Sequence, residues 1–365
     1  MTSIEPRRKC LRRCAPFTLI LTFLATGCGT LSRSPYIERR TGDEIVVAGQ
    51  MVHTGAPVVL WMDPGGYDAY RVERRFSPLA EAAWDKSTNA FKDVKNPSPN
   101  RYGLRQSVLT AEQAERVRGG GWDLPLLQSA VDQFVYHFDA SGTSRQCFKV
   151  LHDVRDLSVH FMLDLDGTIY QTLDLKERAW HATTSNSRSI GIEIANIGAV
   201  SPEKPEPLLE WYKTNAQSEV YIQVPERFEH PGFHTPNFIP KPARKTPVQG
   251  TVQHQDLIQF DFTPEQYDSL IKLTAAVCKV LPKIKCDYPK DNSGRLITHK
   301  LPDAELSEYK GLLGHYHIQD NKIDPGPAFQ WDYVVSQSKK LLGRTVVPSS
   351  TGNARMNELF RKGDL

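Results

Sequence analysis

Asp166-Gly167 lies between two apolar runs, SVHFML and TIYQTL, and is the strongest short-range hairpin signal in the chain. A pair of this kind adopts the turn conformations that join two antiparallel strands through a minimal loop. Tying two strands so closely fixes their register, and a one-residue slip would turn every side chain to the wrong face. Two further strands read clearly on either side. In FVYHFDAS the alternation puts Phe134, Tyr136 and Phe138 on one face and Val135, His137 and Asp139 on the other, so His137 points away from the aromatic face near the strand's end. In SRSIGIEIANIG, Glu193 stands opposite Ile192 and Ile194. A carboxylate there is costly to bury unless it is paired or poised for chemistry; the other reading is an edge-strand glutamate facing water. The stretch FTPEQYDSLIKLTAAVCKVL is a helix: Thr263 caps it, Pro264 occupies the first turn and Gln266 completes a capping box. Its stripe of Tyr267, Leu270, Ile271, Thr274, Val277, Cys278 and Leu281 should cover one face of the sheet.

The remaining chain divides around this nucleus. Residues 1–28 read as a targeting segment, with Arg7, Arg8, Lys9, Arg12 and Arg13 ahead of the apolar FTLILTFLA and a small-residue TGC. The run is too short to span a bilayer. LATGC resembles a bacterial lipoprotein signal in which Cys28 carries the lipid, although Ala25 replaces a larger aliphatic; ordinary secretion with cleavage nearby is the alternative. Either way the mature protein is expected outside the cytoplasm, and with the lipid as a membrane-anchored lipoprotein of the bacterial cell envelope, on the periplasmic or cell-surface side. Of the six cysteines, Cys147, Cys278 and Cys286 then remain; the last two are close enough in sequence to pair in an oxidising compartment, with buried free thiols as the alternative.

Segment 29–105 reads as an accessory β-rich unit, with EIVVAGQMV, APVVLWM and DPGGYDAYRV as hairpin signals and KNPSPNRYG as a linker. LTAEQAERVRGGG is a short helix capped by Thr110 with Gln113. The proline-rich residues 199–250 are expected as an ordered but irregular excursion, and the tail from 343 to 365 is polar. A formal charge of +3 over 365 residues is too small and too scattered to argue for nucleic acid.

GHYHIQDNKIDPGPAFQW, Gly314 to Trp331, gathers histidines, a lysine and an Asp-Pro turn ahead of a last helix marked by Trp331, Val334, Val335 and Ser338. Read as chemistry, His315 and Asp324 are two metal ligands, Lys322 sits beside the metal and His137 is the third ligand. Zinc takes such a nitrogen and carboxylate set in catalytic sites and leaves a position for water. The plainer readings stand beside it: His315 as a polar loop residue, and Asp324 before Pro325 as a helix cap.

The order of these motifs, from the His137 strand through SVHFMLDLDGTIYQ, AWHA, SIGIE and the capped helix to GH and KIDPGPAFQW, resembles the type 2 N-acetylmuramoyl-L-alanine amidases. These are zinc enzymes of peptidoglycan turnover related to the peptidoglycan recognition proteins. The resemblance covers roughly residues 122–342. It implies an α/β fold with a central mixed sheet flanked by helices, and a single zinc ion held by His137, His315 and Asp324. It also implies Glu193 as general base, Lys322 as oxyanion partner, and hydrolysis of the amide between N-acetylmuramic acid and L-alanine. Trp180 and His181 of AWHA are candidates for lining the substrate cleft, with a core tryptophan and a satisfied histidine as the alternative. His160 is assigned to structure. Two departures stand out: no Pro-Gly-Arg precedes Lys322, and His317 replaces an acidic residue, which raises a switched ligand as an option. A non-catalytic recognition module and a zinc hydrolase of another amide are the competing functions.

Overall fold

The computed structural model describes residues 39–83, 101–230 and 232–343. The expected targeting segment with Cys28, most of the expected linker and the tail beyond Gly343 lie outside the described residues. Glu44–Val47 (β1) and Gln50–His53 (β2) form an antiparallel hairpin through Ala48-Gly49, both at positive φ, as a two-residue turn requires. The Asp174 carboxylate accepts both turn N–H groups at 2.8 Å, and the Gln171 amide brackets the backbone of Val46. Val58–Leu60 (β3) then enters the main sheet. The segment expected as accessory therefore gives the central sheet one of its strands. DPGGYDAYRV, expected as a hairpin signal, forms turns instead, organised where Asp63 accepts the N–H of Leu60.

Tyr102–Gly103 (β4) leads to the helices Ala111–Arg118 (α1) and Leu124–Ala130 (α2). Thr110 and Gln113 form the expected capping box of α1, and Asp123 caps α2 ahead of Pro125. Gln133–Phe138 (β5) follows, then Ser144–Phe148 (α3), which runs into a π-helical turn over Lys149–Val154. Phe161–Leu163 (β6) and Ile169–Gln171 (β7) are the antiparallel pair expected around Asp166-Gly167. Gly167 has φ +81°, and a Cβ there would meet the Glu265 carbonyl oxygen at 2.7 Å, so the turn presses directly on the start of the long helix. Arg178–Ala179 (β8) pairs with β4, and Ser189–Ile194 (β9) completes the middle of the sheet.

The expected irregular excursion is more regular than its prolines suggest. It contains Glu206–Trp211 (α4), a hairpin of Tyr212–Thr214 (β10) with Val220–Ile222 (β11), and Val248–Val252 (β12), which pairs with Gln255–Gln259 (β13). Leu208, Trp211 and Ile222 share a small core with Leu165 and Ala195, and the Trp211 ring lies where a Cβ on Gly142 would sit. Burial of these aromatics orders the segment despite the missing proline N–H groups.

Pro264–Val280 (α5) carries the expected capping box, and its whole forecast stripe is buried. Asp303–Glu308 (α6), Gly311–Gly314 (β14) and Trp331–Leu342 (α7) close the chain. The main sheet has the order β14-β5-β9-β6-β7-β3, parallel from β14 to β6, with β7 antiparallel to β6 and β3 parallel to β7. One face, with Phe134, Tyr136, Ile190 and Ile192, packs on α5 and α7. Tyr136 stacks on Trp331 and bonds the Thr274 hydroxyl at 2.7 Å.

Arg105 is the least expected part of the fold. Fully buried, its guanidinium donates to five backbone carbonyls, those of Leu175, Lys176, Asn186, Ser187 and Ser189, at 2.9–3.3 Å. It pins the loop between β7 and β9. Arg105→Leu leaves those carbonyls unpaired in the interior, and each buried orphan costs about 1–3 kcal/mol where it cannot relax. The expected loss is on the order of 3 kcal/mol or more in urea unfolding, and a loss below about 1 kcal/mol contradicts the pinning role.

Candidate metal centre and cleft

The parallel registers place the chemistry. His137 pairs with Glu193 across β5 and β9, and Gly314 pairs with Tyr136 across β14 and β5, so His315 leaves β14 beside His137. Partners in a parallel ladder project to the same face. Three neighbouring strands thus deliver His315, His137 and Glu193 side by side at their carboxyl ends, where open α/β sheets place ligands. Asp324 arrives from the turn that follows the 3-10 turn His315–His317.

His137 Nδ1 lies 2.7 Å from Asp324 Oδ2 and 3.1 Å from His315 Nδ1, and His315 Nδ1 lies 3.0 Å from Asp324 Oδ2. The exposures of His137, His315 and Asp324 are 2 %, 6 % and 7 %, so water barely reaches the triangle. Two imidazole nitrogens and a carboxylate oxygen aimed at one point form a donor set suited to zinc. A tetrahedral ion with bonds of about 2.0–2.1 Å spaces its ligands by about 3.3 Å, close to the observed edges. The residues fit the group. The other cluster of potential ligands among the described residues, Asp43, Glu44 and His53, does not compare: the Glu44 carboxylate already accepts from the N–H groups of Thr41, Gly42 and Asp43.

Burial pushes the His137 imidazole down to about 4, reinforced by the neighbouring His315. Burial alone would raise Asp324, yet the charge of His315 and hydrogen bonding with both histidines hold its carboxyl far below the usual carboxylate range. The triangle therefore carries a carboxylate and a neutral His137, the protonation states that metal binding needs.

The centre opens into a cleft of about 490 Å³ whose lining includes Trp180, His181, Glu193, Gln319 and Lys322. Glu193 is half buried, and burial, followed by the charges of Asp324 and Asp139, raises its pKa well above the usual range. Neither Glu193 nor Lys322 forms a side-chain hydrogen bond or ion pair with another described residue, so both remain available to a ligand. Trp180 is half buried with its indole N–H unpartnered inside the protein. His181 stands in the cleft lining with both ring nitrogens engaged by the protein. Its ring nitrogens face His137 Nε2 at 3.1 Å and Ser189 Oγ at 3.2 Å, which leaves none for substrate.

Two other histidines resolve as structural. His317 Nδ1 accepts the N–H of Gly314 and its Nε2 donates to the Ile297 carbonyl at 2.6 Å, which removes it as a switched ligand. His160 Nδ1 accepts the N–H of Gly191 and its Nε2 donates to the Glu177 carbonyl. Cys147, Cys278 and Cys286 are free thiols.

Sequence reasoning missed Gln319, Ser189, Asn186 and Gly191. Gln319 Oε1 takes the outer N–H of His315 at 2.7 Å, and its position four residues on from that histidine was the available signal. Gly191, alone among isoleucines, was the other signal, because glycine inside a strand marks a close approach. A Cβ there would lie 2.5 Å from the His181 ring.

Residues 127–227 match the N-acetylmuramoyl-L-alanine amidase family. The matched segment contains His137, Trp180, His181 and Glu193, while His315, Lys322 and Asp324 lie beyond it. No curated protein matches the chain in sequence. Among solved structures the chain is similar to AmpD, at 17% identity and a TM-score of 0.29 over 66% of this chain and 92% of that one. It is also similar to the N-acetylmuramyl-L-alanine amidase AmiD from E. coli, solved with the substrate anhydro-N-acetylmuramic acid-L-Ala-D-gamma-Glu-L-Lys, at 18% identity and a TM-score of 0.30; that match spans 57% of each chain. The endolysin amidase LysCS from Clostridium intestinale gives 14% identity and a TM-score of 0.29 over 58% of this chain and 86% of that one.

Apo protein titrated with zinc is expected to take up one ion. His137→Ala, His315→Ala and Asp324→Ala should each weaken binding by more than about 100-fold, beyond the cost of losing only a supporting hydrogen bond. Isothermal titration against a competing chelator measures this, and wild-type affinity in all three variants contradicts the assignment.

Proposed function

We propose that this protein is a zinc-dependent N-acetylmuramoyl-L-alanine amidase, hydrolysing the amide between the lactyl group of N-acetylmuramic acid and L-alanine in peptidoglycan or its fragments. The observation that carries the reading is the convergence of His137, His315 and Asp324 with Glu193 and Lys322 in one cleft, from parts of the chain up to 187 residues apart. The match of residues 127–227 to the amidase family supports it.

A zinc ion held by the three ligands supplies Lewis acidity, polarising a carbonyl oxygen and acidifying a water. Glu193, made more basic by burial, takes the proton of the attacking water and passes it to the departing L-alanine nitrogen. The Lys322 ammonium stabilises the negative charge that develops on the carbonyl oxygen as the tetrahedral intermediate forms. Trp180 offers an apolar face to the substrate. The basic and apolar N-terminal stretch extends the proposal to an exported protein anchored through a lipid on Cys28. No helix among the described residues is long and apolar enough to cross a membrane.

Purified protein incubated with muropeptides should release stem peptides beginning with L-alanine, detected by mass spectrometry. Glu193→Gln is expected to keep its zinc and abolish release, and Lys322→Ala to lose about 10²- to 10³-fold in kcat, as for removal of an oxyanion donor elsewhere. Muropeptide binding without cleavage by wild type would instead indicate a recognition module. Normal turnover by Glu193→Gln would require another base.

A further inference from the structure

We infer that His181 is a positioning residue for the metal ligand His137, and that Ser189 ends the hydrogen-bond relay that fixes the ligand's tautomer. The inference rests on the metal-centre reading above. His137 turns Nδ1 toward His315 and Asp324, and a lone pair must stand on that nitrogen for it to bind a metal. The proton of the neutral ring is then on Nε2, which faces His181 Nδ1 at 3.1 Å. His181 Nδ1 must accept, so its own proton is on Nε2, directed at Ser189 Oγ at 3.2 Å. The opposite His181 tautomer would set two N–H groups against each other at 3.1 Å. The chain can run in two directions: with the proton on Nδ1 toward Asp324 it runs from Ser189 to His137, and with a metal on Nδ1 it runs from His137 through His181 to Ser189.

The surroundings hold His181 to this task. Asn186 Oδ1 accepts the backbone N–H of His181 at 3.0 Å and of Ala182 at 2.6 Å, fixing the backbone from which the ring projects. The ring lies against Gly191, where any Cβ would intrude, and Gly191 is itself held by its N–H bond to His160 Nδ1. The His181 ring stands nearly perpendicular to that of His137, at 85° with centroids 5.3 Å apart. This edge-on approach suits an N–H pointing at a ring nitrogen lone pair. Ser189 is fixed in turn, because its carbonyl accepts from the buried Arg105.

The test compares wild type with His181→Leu, which keeps bulk and removes the acceptor, His181→Gln, which restores an acceptor, and Ser189→Ala. Each apo protein is titrated with zinc against a chromophoric chelator, and with cobalt while its visible absorption is followed; circular dichroism checks the fold. Expected results are a zinc affinity about 10- to 100-fold weaker in His181→Leu with an altered cobalt spectrum, a smaller loss in Ser189→Ala, and recovery toward wild type in His181→Gln. If His181→Leu does not fold, the Ser189→Ala and His181→Gln titrations decide. Wild-type affinity and spectrum in His181→Leu and Ser189→Ala overturn the inference and leave the metal centre standing, as does equal loss in the leucine and glutamine variants, which would mark packing alone. Wild type that takes up no zinc overturns the metal centre and this inference together.

Discussion

The structure depends on the parallel register among β14, β5 and β9. A ligand triangle needs its donors fixed to within a fraction of an ångström, and side chains on separate loops would have to be ordered at a cost of roughly 1–2 kcal/mol per residue. Here hydrogen-bonded ladders do the ordering. His137 and Glu193 are ladder partners, and His315 follows the residue that pairs with Tyr136. A slip of one residue between β5 and β9 would turn either the histidine or the glutamate into the opposite face, among the aromatics packed on α5 and α7. The apolar face therefore protects the one that carries His137 and Glu193: sliding the strands would place Tyr136 and Ile192 on the wrong side of the sheet.

The two faces are covered differently, and the difference makes the cleft. Under α5 and α7 the apolar cover is continuous, from Phe161 through Phe134 and Tyr136 to Trp331. On the other face it is divided. Val59, Met162 and Tyr170 pack with Phe148 toward one edge, while Val135, Leu313 and Ile318 pack with Leu301 and Leu306 toward the other. His137 and Glu193 stand between these clusters, where no apolar layer closes over the sheet. The loop that carries Trp180 and His181 crosses nearby, and Arg105 ties it down from below through its backbone carbonyls. A guanidinium suits this role because its donors spread in a plane and stay charged in the interior.

What the sequence made legible was local. Alternation in FVYHFDAS and SIGIE placed His137 and Glu193 on the correct faces, the Thr263 capping box located α5, and the Asp166-Gly167 turn located the hairpin. Each of these rests on neighbours within a few residues. What stayed hidden depends on distant partners. The Gln253-His254 turn joins β12 and β13 with both residues at positive φ, yet neither is glycine and only tertiary packing selects it. Nothing near Arg105 announces five carbonyls drawn from 70 to 84 residues away. For His181 the sequence left two readings, cleft lining or a satisfied histidine, because a histidine after a tryptophan reads the same whether it faces the cleft or a neighbouring ring.

Desolvation connects these placements to chemistry, acting with opposite sign on different groups. Burial disfavours whichever form is charged, so it lowers His137 and His181 toward neutral imidazole and raises Glu193 toward a stronger base. Asp324 escapes because the charge of His315 and hydrogen bonding with both histidines favour its charged form. A carboxylate and a neutral His137 suit a metal, and a basic carboxylate two strands away from His315 on the same face suits a proton acceptor. The neutral ring and the basic glutamate come from a single cause, the exclusion of water from the ends of the parallel strands. Exposing the triangle would therefore weaken more than the ligand geometry: protons would compete for His137, and Glu193 would lose the basicity that its burial confers.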